Sequence, residues 1–206
     1  MPLDFWKQKC PAKFAHLEFI YGHIHRGDTI FIGSACAEPQ HLVQGLIRYV
    51  KSNPKAFFDA EVLHVRSLGV APYATEKFKQ NFRHNSFFIG DSTRDAVNRG
   101  VADYTPIFLS QVPELFHRGL ARVDIALIQT SLPDEHGYMS LGISVDIVKA
   151  AAETAKLLVA QVNAHMPRVL GDTFIHIDDA DFLVPYDELL LEYAPEADTE
   201  IAQRIG

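Results

Sequence analysis

Apolar positions along the chain follow two rhythms. Short runs at 29–32, 61–65, 87–89, 104–108, 124–129 and 157–162 read as strands. Between them, apolar residues three and four apart predict helices at 40–51, 93–98, 112–117 and 144–153. The stretch 123–128 is apolar but for Asp124, as befits a strand covered on both faces. Strand–helix alternation of this kind predicts an α/β domain with a mostly parallel sheet flanked by helices. An amphipathic helix at 10–25 is expected to pack ahead of the first strand, with Gly27 and Asp28 ending it. Residues 1–26 then form an N-terminal helical segment and 27–196 the α/β domain. Residues 197–206 begin a further helix, with Thr199 as N-cap and Ile201 and Ile205 on one face. They are expected to lead through a linker into a C-terminal domain that these residues do not include.

Composition narrows the class. Hydrophobic residues make up 48% and charged residues 22%, as in an ordinary globular domain. Nineteen Lys and Arg against 26 Asp and Glu give a formal net charge of −7, which argues against a nucleic-acid partner. A local anion site is still compatible with that balance, because a few donors can outweigh the global charge. Two cysteines, Cys10 and Cys36, make no disulfide framework and suggest a reducing compartment. The N-terminus shows no apolar signal segment, and no apolar run is long enough to span a bilayer, so a cytoplasmic location without a membrane partner is expected.

Three loops carry candidate chemistry. The first holds Gly33, Ser34, Ala35, Cys36, Ala37, Glu38 and Pro39 after the first strand. Ligands of parallel sheets sit beyond the carboxyl ends of strands, and small residues there let them approach the backbone. Pro39 suits the first turn of the next helix, whose free N–H groups can bind an anion or a developing oxyanion. A plain turn packed with small residues accounts for the same pattern. In the second loop, Ser92, Thr93 and Arg94 open a helix, and Arg94 suits a phosphate or carboxylate; an ion pair with Asp91 or Asp95 is the plainer reading. The third runs from Pro133 through Asp134, Glu135, His136, Gly137 and Tyr138 to Ser140. Its Asp, Glu and His could serve acid–base chemistry, but Pro-Asp followed by Gly is also ordinary turn chemistry. His23 and His25, two apart, are poorly spaced for a metal, and Asp178, Asp179 and Asp181 lack the rest of a calcium loop, so no metal is expected. No dinucleotide fingerprint, phosphate-binding P-loop or nucleophile elbow occurs, and no cofactor is expected.

Taken in order, several segments resemble the N-terminal domain of the acetyl-CoA hydrolase/transferase family, which includes acetate and 4-hydroxybutyrate CoA-transferases. They are CAEP at 36–39, STR at 92–94, YTPIFLS at 104–110 followed by VP at 112–113, PDEHGYMSLGISVD at 133–146, QVN at 161–163 and GDTFIH at 171–176. The resemblance implies the CoA-transferase (NagB/RpiA-like) fold and a chain about twice this length. It implies a CoA-transferase whose nucleophilic glutamate lies in the second domain, beyond Gly206, so that this chain has no catalytic nucleophile and is inactive alone. Neither Glu38 nor Glu135 matches that catalytic segment. The implied substrates are an acyl-CoA and a short carboxylic acid, and the implied partner is the protein's own C-terminal domain. Apolar surface that would meet that domain is expected to promote association into a homo-oligomer. A backbone N–H near Ser34 or Ala35 is the implied oxyanion donor. Some relatives carry His where Ser34 stands, and Ser34 cannot act as a base near neutral pH. Ser92, Thr93, Arg94, Pro133, Asp134, His136, Gly137, Ser140 and Asn163 are the implied substrate-binding residues. Hydrolysis of acetyl-CoA, a non-catalytic assembly module completed by a partner chain, and the related sugar-phosphate isomerase activity are the alternatives.

Overall fold

The computed structural model describes residues 3–69, 71–193 and 204. Seven parallel strands form one sheet: β1 (Thr29–Ile32), β2 (Ala60–His64), β3 (Phe82–Ser86), β4 (Asp103–Tyr104), β5 (Ile125–Thr130), β7 (Leu157–Val162) and β9 (Phe182–Pro185). Their spatial order is β4-β3-β2-β1-β5-β7-β9. Two short strands, β6 (Tyr138–Ser140) and β8 (Phe174–His176), pair antiparallel apart from it. Helices α2 (Leu17–Tyr21), α3 (Gln40–Ser52) and α4 (Asp91–Asn98) pack on one face of the sheet. Helices α1 (Leu3–Lys9), α5 (Val112–His117) and α6 (Val148–Thr154), with the small sheet, pack on the other. The expected parallel α/β architecture is therefore present.

The strand period of two decides which core each residue joins. Ile30 and Ile32 point into the α3 layer, while Phe31 points into the α5–α6 layer. Helix α3 buries Leu42, Val43, Leu46, Ile47 and Val50, a stripe at helical spacing. Each such side chain, fully removed from water, contributes roughly 2 kcal/mol.

Strands β1 and β7 and helix α5 fall where the sequence places them. Other elements differ. The expected strand at 87–89 lies at Phe82–Ser86 instead. Only Phe82, His84 and Ser86 of that strand are buried, so it is amphipathic and largely polar. The run expected at 104–108 pairs only at Asp103–Tyr104, and Pro106 has no N–H to extend the ladder. In place of one helix at 10–25 there is a 3-10 turn at Pro11–Lys13 and the short α2. Extended backbone at His16 separates the two. The expected helix at 144–153 begins only at Val148, because Asp146 accepts the N–H groups of Ile147 and Val148 and thereby fixes the start. The helix expected in 197–206 lies outside the described residues apart from Arg204, which is helical. Among the described residues no helix is long and apolar enough to cross a membrane.

Candidate functional site

Strand β1 delivers the 33–39 turn to the carboxyl end of the sheet. There four of its backbone N–H groups are tied down. Gly33 N–H donates to the Leu127 carbonyl (2.9 Å), Ala35 to Arg66 (2.9 Å), Ala37 to Ser34 (3.2 Å) and Glu38 to Ala35 (3.2 Å). Ala35 sits at φ +53°, a left-handed conformation that costs a non-glycine residue about 1–2 kcal/mol. Among the described residues, no acceptor meets the N–H groups of Ser34 and Cys36. Of the two implied donors, Ala35 is thus engaged and Ser34 open, with Cys36 as a second open donor. Pro39 is not the first helical residue but the N-cap of α3, and its carbonyl accepts the Val43 N–H (3.0 Å).

Two side chains grip this turn from opposite sides. Glu38 is 1% exposed, and its Oε2 accepts from Ser67 Oγ (2.8 Å) and Gly69 N–H (3.2 Å). Burial pushes its carboxyl pKa up, only partly offset by those donors. A carboxyl this buried and already bonded to two donors is poorly placed to attack a substrate. From the other side, Gln129 Nε2 donates to the carbonyls of Ala37 and Glu38 (3.3 Å each). Gln129 Oε1 in turn accepts from Asn163 Nδ2 (2.7 Å) and Gln161 Nε2 (3.4 Å). Asn163 also donates to the Glu188 carbonyl (2.7 Å) and accepts the Glu188 N–H (3.3 Å). Its buried amide therefore braces the rim and the chain that leaves β9.

The second loop reaches the same rim. Ser92 Oγ donates to the Ser67 carbonyl (2.8 Å), which fixes the start of α4 beside the 66–69 segment. Thr93 is buried, and its hydroxyl donates back to Gly90 (3.4 Å). Arg94 makes the anticipated ion pair with Asp91 (3.3 Å), with both side chains mostly exposed. Such a pair is worth well under about 1 kcal/mol and exchanges readily for another anion. Sequence reasoning missed Arg66, which lies two residues past β2 and reads like any polar residue after an apolar run. Its guanidinium lies 4.7 Å from the Tyr193 ring and 5.8 Å from the Phe88 ring, beside the turn that its carbonyl anchors. Ser67 and Gln129 were missed as well: Ser67 lies in the loop after β2, and a hydrogen-bonding residue inside a strand run such as Gln129 gives no periodic signal.

The third loop is built as a turn. Asp134 Oδ1 accepts the N–H groups of His136 and Tyr138 (2.9 Å each), and Oδ2 accepts from Arg168 (2.6 Å). Slight burial acts to raise the Asp134 pKa, but these donors outweigh it and hold the carboxyl below its ordinary value. Gly137, at φ +92°, lies against Trp6, His176 and Ile177. Pro133 and Ser140 are buried, and Ser140 N–H donates to Ser131 Oγ (2.9 Å). His136 and Glu135 pair at 3.6 Å in the open. The residues bonded to this loop belong to α1, β8 and the 168–169 segment rather than to the 33–39 turn. Gly33–Pro39, Ser92 and Asn163 are therefore linked by hydrogen bonds at this end of the sheet, while Pro133–Ser140 forms a buttress whose hydrogen bonds run to other elements. Glu38 and Glu135, refused as nucleophiles on sequence, sit respectively in a buried clamp and on that exposed turn.

Behind the turn lies a buried polar group of His64, His84 and Tyr73, with imidazole centroids 4.6 Å apart. Burial holds the His64 pKa well below normal, with His84 acting in the same direction, and holds His84 at about 4. Among the described residues, no three His, Cys, Asp or Glu side chains gather as a metal would require.

With this geometry in place, similarity to known proteins becomes informative. The family model described as the acetyl-CoA hydrolase/transferase N-terminal domain matches residues 6–195. The chain is 41% identical over 201 residues to 4-hydroxybutyrate coenzyme A transferase of Clostridium kluyveri, covering 98% of this chain and 46% of that protein. It is 38% identical over 186 residues to the succinyl-CoA:acetate/propanoyl-CoA:succinate CoA transferase of Fasciola hepatica, covering 90% and 38%. Among solved structures, the 4-hydroxybutyrate CoA-transferase of Porphyromonas gingivalis matches with TM-score 0.74 and 26% identity over 94% of this chain and 44% of that one. RipA of Yersinia pestis, at 24% identity and TM-score 0.85 over 97% and 47%, shares the fold. The chain spans less than half the length of these relatives. The matched residues take in the turn, the rim and all seven strands of the sheet, and the chain belongs to the acetyl-CoA hydrolase/transferase N-terminal domain family.

Proposed function

We propose that this chain forms one wall of the active site of a CoA-transferase that moves coenzyme A between an acyl-CoA and a short carboxylic acid. The observation that carries this reading is the 33–39 turn. It is held rigidly at the carboxyl end of the sheet, in a strained conformation, with the N–H groups of Ser34 and Cys36 open. Two backbone donors fixed in place suit the oxygen of a thioester carbonyl as it gains negative charge, and one such donor is worth roughly 3 kcal/mol of barrier. The attacking carboxylate belongs to a second α/β domain, and a glutamyl-CoA thioester is the intermediate passed to the acceptor acid. The names of the relatives support acyl-CoA and carboxylate substrates. The buried, hydrogen-bonded state of Glu38 and the solvent-facing position of Glu135 support a nucleophile from outside these residues.

The test is thioester exchange with acetyl-CoA and a panel of short acids, comparing this chain with the full-length protein. New acyl-CoA species are expected only from the longer protein. Exchange by the 206 residues alone would place the nucleophile within them and reject the reading. Thioester loss that no added acid stimulates would instead identify a hydrolase.

Arg94 is the proposed contact for the acid's carboxylate. Arg94→Ala in the full-length protein is expected to raise KM for the acid by roughly tenfold with kcat little changed, the mark of lost ground-state binding. An unchanged KM, with Arg66→Ala raising it instead, moves the role to Arg66.

A further inference from the structure

From the two-sided grip on the 33–39 turn we infer that Glu38 is a positioning residue: its buried carboxyl clamps the turn onto the 66–69 segment and aims the Ser34 and Cys36 N–H groups. The purpose of the clamp rests on the function proposed above; its existence rests on geometry alone.

Three observations converge on it. Glu38 is almost wholly buried, and its oxygens are unequally served: Oε2 takes both the Ser67 hydroxyl and the Gly69 N–H, while Oε1 has no donor at hydrogen-bond geometry among the described residues, the Gln40 amide and Leu68 N–H favouring the carboxylate only from nearby. Burying a carboxyl with half its acceptor capacity unmet destabilises the fold, so an apolar side chain would pack there at less cost. What the carboxyl alone supplies is a side-chain cross-link between two segments whose backbones meet at a single parallel bridge, Ala35 to Ser67, in which the Ala35 N–H donates to the Arg66 carbonyl. That bond lies on the residue with the left-handed backbone. Without that side-chain tie, Ala35 can relax toward ordinary φ and rotate its two adjoining peptide planes, one of which carries the Cys36 N–H, and with them disturb the Ser34 N–H one plane further back.

Cys36 reports on this directly, because its thiol rides on the turn, whereas Cys10 sits at the end of α1 with its Sγ against the Trp6 carbonyl. Iodoacetamide modification of each thiol, resolved by mass spectrometry, is measured on the 206-residue chain. Glu38→Ala is expected to speed modification of Cys36 by roughly tenfold through local opening and to leave Cys10 within about twofold. Glu38→Gln is expected to keep Cys36 within about threefold of the parent, because the amide oxygen still accepts from Ser67 and Gly69. Cys36 rates in Glu38→Ala that match the parent, or a Glu38→Gln rate as fast as that of Glu38→Ala, overturn the clamp. If Glu38→Ala accelerates both thiols, Ser67→Ala decides: faster Cys36 alone supports the clamp, and no change overturns it. In the full-length protein, Glu38→Ala is expected to lower kcat by roughly tenfold with KM for acyl-CoA nearly constant, and a loss confined to KM overturns the aiming role. A parent protein that exchanges no thioester rejects the functional reading, and the thiol rates still decide the clamp.

Discussion

Between pH 7.5 and pH 4, His84 is expected to withdraw on the order of 3 kcal/mol of folding stability. The folded structure holds its imidazole at about 4 through burial, against an ordinary value of 6.5. Its Nε2 meets only Ser86 Oγ (2.9 Å), and Nδ1 has no partner among the described residues, so no acceptor stands ready for an extra proton. In the window from 6.5 down to 4 the unfolded chain binds a proton that the folded chain refuses. The contribution is therefore whole above 6.5 and gone once the pH has fallen through the folded value. His64, depressed by burial and by His84, acts in the same direction. Asp124 and Asp134, held below their ordinary 3.8, lose their contributions only at more acid pH. Glu38 runs the other way: burial raises its pKa, so its contribution is present at low pH and is lost as the pH rises. Comparing variants cancels that term. Urea unfolding of the parent and of His84→Gln at both pH values is expected to show the parent losing on the order of 3 kcal/mol more. Equal losses in the two proteins would mean that His84 is not held neutral.

Gly137→Ala is expected to destabilise the fold by about 2–4 kcal/mol, the sum of a left-handed backbone forced on alanine and an overpacked site. An added Cβ would lie 2.8 Å from His176 Nε2, 2.9 Å from Ile177 Cγ2 and 3.1 Å from Trp6 Cη2. None of these neighbours is free to retreat. Trp6 is buried with its Nε1 donating to the Asp134 carbonyl (3.2 Å), Ile177 is fully buried, and His176 Nε2 is bonded to the His136 carbonyl (2.8 Å). Denaturant unfolding measures the change, and a shift below about 0.5 kcal/mol would show that the buttress yields.

Legibility in the sequence followed burial on both faces. The strands β1 and β7 are apolar on both faces and stood out; β3 buries alternate residues and carries Arg83, His84 and Asn85, so it looked like a loop, and the apolar 87–89 run beyond it was taken instead. Pro11 and Asp146 both sit where a helical rhythm continues through residues that end or start helices, which is why the boundaries at 10–25 and 144–153 slipped. For the site, small residues after β1 pointed to the turn, since only the backbone is needed there. The residues that hold the turn were not readable, because Arg66, Ser67 and Gln129 meet it only through the lateral order of the strands. The order β2-β1-β5-β7 brings positions about 30 and 95 residues apart into register.

That lateral order also governs how the molecule assembles as it is made. The first strand to be synthesised is the central one. β1 pairs with β2 soon afterwards, yet its other edge waits for Ile125–Leu127, which meet Ile30–Ile32 only after about 95 further residues have been made. During that interval an edge that is apolar but for Thr29 stands unpaired, the feature that makes nascent parallel sheets slow to mature and prone to stick to one another. Closure of that edge is thus set by β5, and each later strand, β7 and then β9, covers the edge that its predecessor leaves open.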